Sequence, residues 1–576
     1  MRVPDSPRFR QAAWRQRAMD RQGMGGPGDV SRTHAWQTLL AHAGEVRPQH
    51  VLNLFQLDPE RGPRLSVEAA GWYLDYSKNR ITTRTLDLLL RLARATRLPA
   101  RIDAMFNGDP VNVSEGRAAL HVALRMPADG SVQVDGRDVV PEVQRVLRRM
   151  ERFAGRVRSG AWRGGTGKRI KNVVNLGIGG SAVGVGMACA ALQHYGRPDM
   201  QFRFVSNLDG ADFFHATRDL DPRETLFIVC SKTFQTLETR RNAAAARAWC
   251  QEDIQDESAV QAHFVAVTGN REAAIQAGFA PEHVFDVWDW VNGRYSLCSA
   301  MGLALMAAIG PAAFREMLAG FHDMDAHFLS APLECNLPVL HALMAVWNNN
   351  LLGSRSVAVL PYEHYLRCFP SYVQQLMMES NGKSVTQGGA SVACHTSPIY
   401  WGACGTNGQH SFHQLLHQGS QIVPCDFIGF LSPLPPSAHG HEELLANMFA
   451  QAQALAFGRP LGESDGPADA QVQEGHRRVQ GNRPSNTLLA ARLTPRTLGA
   501  LVALYEHSAY TQGVIWDIDS FDQWGVELGK TLAVHIAQAL AAGQAGAPGP
   551  DSSTRTMMQK YLDDKTAAAM CATERT

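Results

Sequence analysis

The stretch 173–186, VVNLGIGGSAVGVG, decides the fold. Val173–Ile178 is largely β-branched and apolar and reads as a strand. Gly177, Gly179 and Gly180 follow, then Ser181, and a helical pattern begins. A glycine turn between strand and helix lets the backbone come close to a ligand, and the helix N-terminus favours an anion. Read literally, Gly177-x-Gly179-x-x-Ala182 also fits a dinucleotide fingerprint. That fingerprint needs an acid closing the next strand about 20 residues on. Asp199 lies in a polar turn and Asp209 comes too late, so a nucleotide cofactor is not expected.

Working outward, three more short runs behave like Val173–Ile178: TLFIVC (225–230), HFVAVTG (263–269) and SVAVLPY (356–362). Each ends in a polar or glycine turn and leads into a helical pattern, which argues for parallel βαβ units. A helix is expected over 295–309. The expected fold class is α/β, with two lobes built on mostly parallel sheets flanked by helices and a C-terminal arm. The expected division is a flexible Arg- and Gly-rich leader at 1–30, a helical segment at 31–135 packing on the larger lobe, a smaller lobe at 136–315, a larger lobe at 316–545 and an arm at 546–576.

Composition narrows the function. The chain has 576 residues, 45% of them hydrophobic and 19% charged, with 55 basic and 54 acidic residues and a net charge of +1. The low charge fraction fits much buried surface. A balanced charge gives no bulk attraction to nucleic acid or an anionic membrane, so an anionic ligand must be held by local groups. The longest apolar stretch, near 299–314, contains Pro311 and falls short of the roughly 20 residues a membrane span needs. Ten cysteines without a CxxC pair read as free thiols in a reducing, cytoplasmic setting.

Local groups are present. Directly after TLFIVC comes Ser231-Lys232-Thr233-Phe234-Gln235-Thr236, three hydroxyls and an ammonium where a helix begins. Paired with the Gly177–Ser181 turn, it reads as a monophosphate site rather than simple helix capping; the P-loop spacing is absent. SYVQQLMMESNGKSV predicts a helix over 372–380 stopped by Asn381-Gly382, which puts Glu379 in the last turn with Gln375 four residues earlier on the same face. The negative helix end there opposes an ionised carboxylate, a useful push on a general base. In GTNGQHSFHQLLHQG, 405–408 reads as a loop and a helix starts near Gln409. His413 and His417 have metal spacing, but the Glu of a zinc protease and a third ligand are lacking. His410, at the junction, is the better acid/base candidate. Arg294 follows a glycine in WDWVNGRYSL, and Lys530 and Gln523 stand seven apart in FDQWGVELGK, two turns on one predicted helical face.

Together with LDYSKNRIT (74–82), VNVSEGRAALHVALR (111–125), GNRPSNT (481–487) and QGVIWDIDSFDQWGVELGK (512–530), these strings resemble the glucose-6-phosphate isomerase (phosphoglucose isomerase) family. The resemblance implies two sugar-isomerase lobes in a homodimer and an aldose–ketose isomerase working through a cis-enediol. It implies no metal and no cofactor. It puts Glu379 in the role of base, His410 and Lys530 in ring opening, and Arg294 beside the developing enediolate. Gly180, Ser181, Ser231, Lys232, Thr233 and Thr236 match phosphate-binding positions, and Gln375 and Gln523 match polar contacts to the sugar. In the family the histidine comes from the partner subunit. The chain departs from the family at Ala182, where an acid is usual, at Asn292, where a glycine is, and at Ala403-Cys404, where Glu-Pro is. A non-catalytic sugar-phosphate-binding protein and a nicotinamide-dependent dehydrogenase are the alternatives.

Overall fold

The computed structural model describes residues 28–437, 439–459, 475–545 and 551–573. Most of the expected leader, residues 1–27, lies outside them. The described residues fall into two compact units that part after Phe521.

Among the described residues the first unit holds two large sheets and a two-stranded one. In chain order its strands are β1 (Ser66–Ala69), β2 (Trp72–Asp75), β3 (Gln133–Val134), β4 (Arg137–Asp138), β5 (Asn172–Leu176), β6 (Gln201–Val205), β7 (Thr225–Cys230), β8 (Phe264–Thr268), β9 (Val284–Asp286), β10 (Ser356–Pro361), β11 (Ile399–Gly402), β12 (Cys425–Phe430) and β13 (Ser485–Ala490). One sheet has the order β6-β5-β7-β8-β9, parallel throughout. The other runs β1-β2-β13-β12-β10-β11 and is parallel except for the β1–β2 hairpin, which adds antiparallel to β13. β3 and β4 form a separate small hairpin. The four expected strands are β5, β7, β8 and β10, each apolar because both sheet faces are covered. The segment 31–135 is largely helical, yet it also supplies β1 and β2 to the larger sheet.

The helix expected over 295–309 is shorter. Residues Gly293–Tyr295 and Ala300–Gly302 form separate 3-10 turns, and the α-helix is only Leu303–Ile309. Ser299 ends the irregular stretch: its hydroxyl accepts from the Met301 N–H and caps the turn that follows. The helix Pro495–Ile515 runs through the core, buried from Leu498 to Ile515. It packs closely on the helix Pro311–Ser330. A Cβ on Gly499 would stand 2.1 Å from the Met317 carbonyl oxygen, and one on Gly320 would stand 1.8 Å from that of Arg496.

A buried ionic cluster spans the two helices and the turn His121–Arg125. Arg125 donates from Nε and Nη2 to both oxygens of Asp325 at 2.6 and 2.7 Å, and from Nη1 to Glu506 at 2.6 Å; His507 meets Asp325 at 2.7 Å. A buried charge in such a cluster is costly if its partner is removed, so all four side chains must be in place together. Burial pushes Glu506 up to about 7, with Arg125 only partly offsetting it. Below pH 4.5, its ordinary value, this carboxyl is protonated in folded and unfolded chains alike. Above that the unfolded chain releases a proton the folded chain retains. Its stabilising contribution is therefore complete below pH 4.5 and is lost as the pH rises towards 7. Urea midpoints measured between pH 4.5 and 7 should depend less steeply on pH in Glu506→Gln than in the parent.

Candidate active site

β5 and β7 are neighbours in register, Leu176 opposite Val229, so the turns that leave them lie side by side. Ligands of open parallel sheets sit beyond these carboxyl ends. The turn after β5 is tightly held. Asn175, in the middle of that strand's apolar run, donates from Nδ2 to the Ser181 carbonyl at 3.2 Å and accepts from the Cys230 thiol at 3.3 Å. It thereby links the first turn to the residue before Ser231. Gly180 lies against Gly293: a Cβ there would stand 2.1 Å from the Gly293 carbonyl carbon. Ser296 Oγ also donates to the Gly180 carbonyl at 3.2 Å. A Gly179 Cβ would stand 3.3 Å from Gln375 Nε2. The geometry thus brings Gly180, Arg294 and Gln375 into one group.

In the second turn the Ser231 and Thr236 hydroxyls lie 3.0 Å apart. Thr236 precedes the helix Leu237–Asp253, but its side chain does not cap it. Phe234 adopts φ +58, a left-handed value that costs energy for a bulky residue. Thr233 is exposed. Lys232 turns its ammonium away from the turn's hydroxyls, donating to the carbonyls of Asp289 at 2.8 Å and Val291 at 2.9 Å. Burial, and then the nearby Arg117, push it down to about 8. The lysine thus anchors this turn to the segment leading to Arg294.

Glu379 ends a helix that starts at Phe369 and widens into a π-turn over Gln375–Glu379. The widened turn puts Gln375 Nε2 2.9 Å from Glu379 Oε2, while Arg294 Nη1 donates to Oε1 at 3.2 Å. Both carboxylate oxygens are held, and the side chain is 25% exposed. Lys383 donates to the carbonyls of Glu379 and Ser380, satisfying the helix end. Arg294 is fully buried; it donates from Nε to Ser380 Oγ at 2.7 Å and from Nη2 to the Ser520 carbonyl at 2.6 Å. Gln375 Oε1 is buried without a hydrogen-bond partner among the described residues, an acceptor available to a ligand hydroxyl.

Other positions stand apart. Residues expected as a loop at 405–408 form a short helix, Gly405–Gln409, closed by the Gly408 N–H donating to the Cys404 carbonyl at 2.8 Å, and the helix expected from Gln409 begins at His413. His410 follows the first of these helices and is exposed. His413 and His417 both contact Gln451 Oε1, at 3.2 and 2.8 Å, which gives them a packing role. No cluster of metal-ligating side chains occurs among the described residues. In the second unit Gln523 and Lys530 do not share a helical face. The helix there is Glu527–Ala541, and Gln523 precedes a 3-10 turn, Trp524–Val526. Lys530 is exposed and pairs with Glu527 at 2.8 Å. Of the departures from the family strings, Asn292 donates to the Phe521 carbonyl at 2.5 Å and the Cys404 thiol to that of Glu363 at 3.6 Å.

Sequence reasoning missed Asn175 and Ser380, which position the turn and Arg294. The signal for Asn175 was an amide in the middle of an apolar run; Ser380 had none beyond standing next to Glu379.

The family described as phosphoglucose isomerase matches residues 75–558. A glucose-6-phosphate isomerase of Anaeromyxobacter sp. (strain K) is 57% identical over 535 residues, 93% of this chain and 98% of that one. One of Nitrosospira multiformis is 56% identical over 532 residues, 92% and 98% of the two chains. The crystal structure of a glucose-6-phosphate isomerase from Chlamydia trachomatis superposes with TM-score 0.80 at 33% identity, covering 92% of this chain and 99% of that one.

A methyl group at Gly180 has backbone on its far side and no room to move. Gly180→Ala should push the first turn off the Gly293 segment and weaken binding of inorganic phosphate by roughly tenfold or more, measured by calorimetry, about the loss of one charge-assisted hydrogen bond.

Proposed function

Because the chain belongs to the phosphoglucose isomerase family, we propose that it interconverts glucose 6-phosphate and fructose 6-phosphate, with Glu379 moving the proton. The observation that carries this reading is the Gln375–Glu379–Arg294 group: a largely buried carboxylate, 25% exposed, with each oxygen held and a buried guanidinium beside it.

The substrate phosphate is anchored by the turns at 179–181 and 231–236. Gly180 and Ser181 offer backbone and hydroxyl at one helix start. Ser231, Thr233 and Thr236 offer hydroxyls at the other. Lys232 contributes positive charge and ties this turn to the arginine segment. Binding energy from the phosphate positions the distant carbons. His410 and Lys530 handle the ring oxygen and the anomeric hydroxyl as the ring opens. Glu379 then removes the C2 proton, the electron pair forms the C1=C2 bond, and O1 takes up a proton to give the cis-enediol. O2 next loses its proton, the C2=O bond forms, and the protonated Glu379 returns its proton to C1. Arg294 faces the charge that develops on oxygen, and fixed cations in a water-poor site stabilise it strongly. Gln375 and Gln523 contact sugar hydroxyls. No metal or cofactor takes part.

The chain works as a homodimer in the cytoplasm, with His410 entering the partner's site. The exposure of His410, with no side-chain hydrogen bond among the described residues, supports this arrangement.

Two measurements test the assignment. Glu379→Gln should lose about 10²-fold or more in kcat, the scale of an acid/base group, while phosphate affinity holds; full activity would overturn the base. Mixing inactive Glu379→Gln and His410→Ala chains, after subunit exchange, should recover about a quarter of the parent activity, since half the dimers are mixed and each has one intact site. No recovery would place His410 in its own subunit's site.

A further inference from the structure

Beside the second turn lies a cavity of about 160 Å³, bounded by the end of β7, one face of the helix Leu237–Asp253 and residues Ala277 and Phe279. Glu379, Arg294 and Gln375 do not line it. Its walls are apolar where Phe234 and Phe279 meet edge to face, ring centroids 5.4 Å apart. Four polar side chains interrupt that lining: Ser231 at the strand end, and Thr239, Arg240 and Arg247 on the helix face. Thr239 is buried, and its hydroxyl has no hydrogen-bond partner among the described residues. Arg240, exposed at the rim, and Arg247 stand two turns apart, and neither forms an ion pair among the described residues. Arg247 is fixed: its guanidinium lies 4.9 Å from the centroids of both Phe264 and Phe279, and it donates to the Ala277 carbonyl at 3.3 Å. Glu257 acts on it only from beyond ion-pair distance.

Two guanidiniums without a carboxylate, and a hydroxyl without an acceptor, call for an anion. The aromatic walls call for a ring. The volume is close to that of an engineered cavity of about 150 Å³ that accepts benzene. We propose that this cavity is a second ligand site, taking a small monocarboxylate that carries one aromatic ring.

Ser231 and Phe234 belong to both the cavity wall and the turn read as phosphate-binding. A ring packed on Phe234 holds that residue in its left-handed conformation, so occupancy pre-orders the turn, and the two ligands favour one another. This coupling rests on the phosphate reading; the cavity's own binding does not.

Benzoate, titrated into the full chain by calorimetry, is the probe. One saturable site is expected. Arg247→Met removes the cation, and Ala244→Phe, on the exposed rim of the helix, fills the mouth without disturbing the core. Each should weaken benzoate about tenfold or more, the scale of one lost charge-assisted hydrogen bond. Ala244→Phe should leave the thermal midpoint unchanged. Saturating benzoate should tighten inorganic phosphate about threefold, and phosphate should tighten benzoate by the same factor. No saturable uptake of benzoate, or uptake unchanged in both variants, would overturn the site. Benzoate uptake in a chain that does not bind phosphate would support the cavity and count against the phosphate turn.

Discussion

A single buried guanidinium organises the centre of this protein. Arg294 is removed from water and distributes its donors to Glu379, Ser380 and the Ser520 carbonyl. A buried charge left unpaired is costly, so these partners must be in place whenever the chain is folded. The end of the π-turn, the Gly293 segment and the 520 region are therefore fixed relative to one another. Gly180 rests on Gly293, so the first phosphate turn inherits the same constraint. Remove the guanidinium and the carboxylate loses both its partner and its register with the turns beyond the sheet.

The second constraint is the parallel register of β5 and β7, which sets two helix starts next to each other. Neither turn alone is a strong anion site. Side by side, with Asn175 bridging them, they concentrate backbone dipoles and hydroxyls where the net charge of the chain, only +1, offers nothing. Lys232 shows how such a turn is held: its ammonium binds carbonyls two segments away and acts on the site by position as much as by charge. The same turn forms one wall of the neighbouring cavity, and the strained Phe234 is the hinge between the two.

Much of this was legible in the chain. β5, β7, β8 and β10 announce themselves as apolar runs because both faces of a parallel sheet are covered. Glu379 and Gln375 were placed on one helical face by spacing alone. Other features were hidden for physical reasons. β1 and β2 lie in a segment whose periodicity is helical on either side, and they become strands only by pairing with β13. The apolar stretch from Tyr295 looked like a helix throughout, yet Ser299 caps a second turn and delays the α-helix to Leu303. The break between Gln523 and the helix at Glu527 is likewise invisible to a count of seven residues.

The sequence by itself determined the fold class, the family and the residue types of the chemistry, because these rest on short contiguous strings whose patterns survive without knowledge of their neighbours. Only the tertiary structure decided which atoms meet. That Arg294 grips the carboxylate through Nη1, that Lys232 faces carbonyls, and that an unpartnered threonine and two unpaired arginines share a cavity are outcomes of packing between segments far apart in the chain. Side-chain direction depends on the whole surrounding core, and no local pattern encodes it.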